Sequence, residues 1–115
     1  LIALLLLAGT TLLIWRPAQL EFAVATLLIA ALPEEWFFRA YLMSRIGTGW
    51  GANCAASVLF SLLHGLTLGP GIALQVFVPS LCFGWCYQRT GNLVLVVLLH
   101  AFANLMFVLF FARWF

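Results

Sequence analysis

The sequence contains no lysine and no aspartate. Charged residues make up 7% of its 115 positions, against about 25% in an ordinary soluble domain. The acids are three glutamates, the strong bases are five arginines, and the formal net charge is +2. The arginines are scattered, which excludes the clustered basic footprint of a nucleic-acid binder. The lack of aspartate excludes an aspartyl intramembrane protease, and the lack of an HExxH pattern removes the zincin signature. Ser57, Ser61 and Ser80 carry no motif, and no serine or cysteine pairs with a base in a recognisable pattern. Cysteine is scarce: Cys54, Cys82 and Cys86 lie in apolar segments. Cys82 and Cys86 stand at i,i+4, a poor disulfide geometry, so all three read as small buried apolar residues.

Hydrophobic residues fill 66% of the chain, in repeated apolar runs. That pattern is expected of an integral, multi-pass membrane protein in contact with the lipid bilayer. The fold class is all-α: a multi-spanning transmembrane helix bundle of about five helices. The expected spans are roughly Leu1–Trp15, Leu20–Ile46, Ala52–Leu66, Ile72–Gln88 and Leu93–Ala112. Arg16-Pro17, GTGWG, TLGPG and RTGN separate them, and Pro79 lies inside the fourth. The opening LIALLLLAGTTLLIW has no basic leader and no small-residue cleavage site, so it reads as a spanning helix entered partway. The chain is accordingly expected to be a fragment or a trimmed domain. Trp15, Trp50, Trp85 and Trp114 fall near span ends, as interfacial anchors do, whereas Trp36 is mid-span. Arg45 and Arg89 balance Arg16 and Arg113, so positive-inside counting gives no orientation.

Against this apolar background, PEEWFFR at 33–39 places three charges inside a span. The titratable residues at membrane depth are Glu34, Glu35, Arg39, His64 and His100, with Asn104 as polar companion. Such groups are costly in hydrocarbon and functional by default. Glu35 and Arg39 stand at i,i+4 with the acid first, the favoured order for a helical ion pair. Glu34 lies about 100° away around the helix, just after Pro33, which weakens the helical ladder. A carboxyl in low dielectric suits a general base or acid. His100 and Asn104 share one face at i,i+4, and both can donate hydrogen bonds. Phe60 lies one turn before His64 on the same face. Counted from the turns, Glu34, His64 and Asn104 each lie about twelve residues in, or ~18 Å, and His100 about eight, or ~12 Å. Three helices thus carry polar residues to similar depth.

A carboxylate and a histidine that can activate water, with a His/Asn pair that can stabilise an oxyanion, suit peptide hydrolysis without a covalent intermediate. Two other readings stay open. Glu34, His64 and His100 offer three ligands for a zinc-dependent membrane hydrolase. Buried acids and histidines also serve proton relays and non-catalytic membrane partners such as immunity proteins. Each feature also has a structural reading: a cluster neutralising Arg39, a packing histidine, or interhelical polar glue for His100 and Asn104.

The motifs EEWFFR (34–39), FSLLH (60–64) and HAFAN (100–104) resemble the CAAX prenyl protease and bacteriocin-processing (CPBP) family of glutamic intramembrane endopeptidases. That family shows EExxxR, FxxxH and HxxxN on membrane helices, in this order, with one motif-free helix between the last two. The resemblance runs from Pro33 to Asn104 and extends loosely to RTGNL. Ala40 stands where many members have glycine. The resemblance implies a four-helix catalytic core within residues 20–115, preceded by a leading helix and loop at 1–19. It implies that Glu34 and His64 activate the attacking water, that His100 and Asn104 form the oxyanion hole, and that Glu35 and Arg39 shape the site. It implies no cofactor and no metal. The substrate would be a membrane-anchored protein or peptide, either a prenylated CAAX tail or a bacteriocin or sorting tag. A chain this small looks more like a bacterial or archaeal cell-membrane member.

Overall fold

The computed structural model describes residues 1–6 and 17–111. Most of the first expected span, Arg16, Trp15, Arg113 and Trp114 lie outside the described residues, as does the end of the last span. Among the described residues the protein is all helix, with no strand. Residues 2–6 are helical. Helix α1 occupies residues 17–46; α2 is Gly49–Leu68, α3 is Pro70–Thr90 and α4 is Leu93–Phe110. The last three are each long and apolar enough to cross a membrane.

α1 changes geometry along its length. Two stretches, Thr26–Ala31 and Trp36–Met43, are π-helical, and α-helical pieces flank them. The Leu32 amide bonds to the Leu27 carbonyl, five residues back. Pro33 explains the first stretch: it has no N–H, and its ring crowds the carbonyl four residues upstream. The wider turn, whose bonds reach one residue further, relieves that crowding.

The turns are shorter than the sequence reading placed them. Within GTGWG only Gly47 and Thr48 interrupt the helices, and α2 begins at Gly49. Within TLGPG only Gly69 is non-helical, because Pro70 opens α3, a position where its missing N–H costs nothing. α3 ends at Gly91 in the left-handed conformation, φ +61°, with its amide 2.7 Å from the Tyr87 carbonyl. Asn92 then caps α4, its Oδ1 accepting from the Leu95 amide at 3.0 Å.

The chain divides into two compact units. One comprises Glu34–Val96; the other comprises Leu1–Pro33 with Val97–Phe115. In the Glu34–Val96 unit, α2 packs most extensively on α3 and also on the Trp36–Met43 stretch. Small residues allow the approach: Ala52 and Ala56 are buried on α2, and Ser80 and Gly84 on α3. Outward faces are apolar, with Leu62, Leu66, Leu74 and Val94 all exposed. Such surface suits lipid and not water. The cysteines correct the sequence reading. Cys54 and Cys82 are exposed and Cys86 is half-buried; a weakly polar thiol is as compatible with a lipid-facing position as with a core one.

Candidate active site

PEEWFFR places two consecutive glutamates in contrasting surroundings. Glu35 is fully buried, as is Arg39, and Arg39 Nε lies 3.0 Å from Glu35 Oε2. Glu34 keeps 29% of its side chain exposed and faces His64, itself 16% exposed, with Oε2 3.7 Å from Nε2. One acid is sealed against a permanent cation; the other, on a partly exposed side chain, meets a titratable ring.

α2 fixes the histidine. His64 Nδ1 lies 2.9 Å from the Phe60 carbonyl. A carbonyl only accepts, so Nδ1 carries a proton and the ring turns its Nε2 toward Glu34. Phe60 stacks obliquely on the ring, centroids 4.2 Å apart, and is itself 2% exposed and edge-on to Phe38. The Glu34–His64 gap exceeds a direct hydrogen bond. The Glu34 oxygen that faces the ring, Oε2, is itself buried.

His100 and Asn104 belong to the other unit and lie on α4. His100 is 4% exposed. Asn104 Nδ2 donates to Thr26 Oγ1 at 2.9 Å. Thr26, 7% exposed, begins the first π-helical stretch of α1. One amide hydrogen of Asn104 is thereby anchored, and the primary amide retains a second.

Sequence reasoning missed Thr26, and it also missed a buried polar chain behind Arg39. Arg39 Nη2 donates to Ser80 Oγ at 2.8 Å and to the Ser80 carbonyl at 3.1 Å. Ser80 donates to Ser57 Oγ at 3.0 Å, and Ser57 to Asn53 Oδ1 at 3.3 Å. A signal was available: Asn53, Ser57, Ser61 and His64 recur on α2 at helical spacing, a polar stripe through an apolar span.

An open hollow of about 530 Å³ lies at the turn end of this unit, bounded among others by Met43, Trp50, Trp85 and Arg89. Neither Glu34 nor His64 lines it. Among the described residues no group of three or more His, Cys, Asp or Glu side chains is placed to hold a metal ion. The zinc alternative therefore gains nothing from the geometry.

Spanning helices that carry an acid facing an imidazole define a membrane protein with the parts of a hydrolase. Comparison with known families narrows this. Residues 16–106 match the family model described as type II CAAX prenyl endopeptidase Rce1-like. The match covers most of the chain, and the protein belongs to this family, the one its three motifs resemble. Membership makes it a CAAX-protease-type peptidase by class. With its spanning helices, it is an integral membrane protein. No curated protein and no solved structure matches the chain.

Proposed function

We propose that the protein is a glutamic-type intramembrane endopeptidase acting on a membrane-anchored protein or peptide, with a prenylated C-terminal tail as the first substrate class to test. The observation that carries this reading is the Glu34 carboxylate, on a partly exposed side chain, set 3.7 Å from a His64 ring whose tautomer the Phe60 carbonyl sets. A water held between them gives up a proton to this pair as its oxygen attacks the scissile carbonyl carbon. The negative charge that develops on the carbonyl oxygen is met by donors from His100 and Asn104. The tetrahedral species collapses, the C–N bond breaks, and the proton passes to the departing amine. The products are a carboxylate and a free amine. Glu35 and Arg39 shape the site. The catalytic core lies within residues 20–115.

The test uses the full chain reconstituted in liposomes with a farnesylated CAAX peptide, read by intact mass. The wild-type chain releases the C-terminal fragment. Glu34→Gln and His64→Ala each cut at least 100-fold more slowly, the span of general acid–base contributions. Cleavage by Glu34→Gln at the wild-type rate would sink the reading. A biological role that persists in both variants without any cleavage would favour the non-catalytic alternative.

A further inference from the structure

Behind the Glu35–Arg39 pair runs a circuit of hydrogen bonds that joins three helices. Arg39, Ser80, Ser57 and Asn53 are all fully buried. Each proton direction in the circuit is fixed. The guanidinium can only donate, so Ser80 Oγ accepts from Arg39 and turns its own proton to Ser57. Ser57 in turn donates to Asn53 Oδ1. Asn53 Nδ2 then donates to the Leu81 carbonyl at 2.9 Å, which returns the chain to α3 one residue beyond its start. Hydrogen bonds aligned head to tail in this way polarise one another in a low-dielectric interior.

Gly84 makes the circuit possible. A Cβ there would overlap the Asn53 side-chain amide. The amide lies directly on the α3 backbone, in space that only glycine leaves open. Asn53 and Gly84 are thus a matched pair of one large and one absent side chain.

Arg39 touches a neighbour of each member of the proposed water-activating pair. Through Glu35 it holds the turn that carries Glu34. Its Cζ also lies 5.5 Å from the centroid of Phe60, the ring stacked on His64. A guanidinium that shifts therefore disturbs Glu34 and His64 together. A displacement of about 1 Å at a reacting group costs about 100-fold in rate.

We propose that Ser80, Ser57 and Asn53, with Gly84 as the space that admits Asn53, are positioning residues that set the Glu34–His64 geometry through Arg39. This rests on the hydrolytic role of Glu34 and deepens it. None of the four touches the reacting atoms.

The test separates positioning from packing. Asn53→Ala, Gly84→Ala, the double variant and Ser80→Ala are made in the full chain. Each is reconstituted with the farnesylated CAAX peptide, beside wild type and Glu34→Gln, and thermal unfolding in detergent is followed in parallel. Each single variant at 53 or 84 melts below wild type, one from a void and one from overlap. The double variant restores the fit, and its melting temperature returns most of the way. Its kcat nevertheless stays at least tenfold below wild type, with KM within twofold, because the hydrogen bonds remain absent. Ser80→Ala, which loses only a hydroxyl, shows the same kcat loss. A double variant or a Ser80→Ala variant with wild-type kcat, while Glu34→Gln is inactive, overturns the positioning role and leaves the hydrolytic reading intact. If the double variant does not fold, the Ser80→Ala result decides. An active Glu34→Gln, or a wild-type chain that leaves the peptide uncut, overturns the hydrolytic reading and the positioning role with it.

Discussion

Glu34 and Glu35 are chemically identical neighbours, and their surroundings separate them. Glu35 is sealed with Arg39, so removing its charge strands a buried cation. Breaking such a pair costs about 3–5 kcal/mol. Glu35→Gln is therefore expected to lower the melting temperature in detergent sharply. Glu34→Gln, at a partly accessible position, leaves melting close to wild type while abolishing cleavage. Equal melting of the two variants would contradict this division. Thr26 is a quieter case. Its hydroxyl accepts from Asn104, and valine keeps the shape without it. Thr26→Val is expected to lower kcat roughly tenfold, a fraction of the loss from removing a whole oxyanion donor. Thr26→Ser, which retains the hydroxyl, restores it. Equal rates for valine and serine would show that this bond does not orient the amide.

At the scale of elements, the helix junctions are built from local chemistry that mutation can probe. Gly91 adopts φ +61°, where an L side chain costs about 1–2 kcal/mol. Asn92 caps α4, a role worth about 0.5–2 kcal/mol. Gly91→Ala and Asn92→Ala should each lower thermal stability by such amounts and leave KM unchanged. Much of this level was legible in advance. The apolar runs marked five expected spans, the last three of which are helices long enough to cross a membrane, and RTGN and TLGPG marked junctions between them. Exact ends were not legible, since proline at a first helical position and helical Thr67 or Trp50 look like turn residues on paper. The π-helical stretches were invisible, because the same residues serve α and π turns. Pro33 was the one hint. Nor was the lipid-facing side of Cys54 and Cys82 readable, since a thiol suits either environment. The three motifs named Glu34, His64, His100 and Asn104. Ser57, Ser80 and Asn53 went unread because each alone resembles ordinary interhelical glue. Their joint meaning depends on the register of α2 against α3.

Among the described residues the molecule is a helical membrane protein that buries Glu35, Arg39, Asn53, Ser57 and Ser80 and turns many leucines, valines and phenylalanines outward. It should stay with the membrane pellet after an alkaline carbonate wash; release into the supernatant would contradict integral insertion. In the proposed reaction, water activated beside Glu34 attacks the scissile carbonyl directly. A single turnover in H₂¹⁸O tests this, with enzyme in excess over the farnesylated CAAX peptide and the new C-terminal carboxylate read by mass. The carboxylate is expected to carry one ¹⁸O from the first turnover. An unlabelled carboxylate would mean that its oxygen came from a protein side chain, and would contradict direct attack by water.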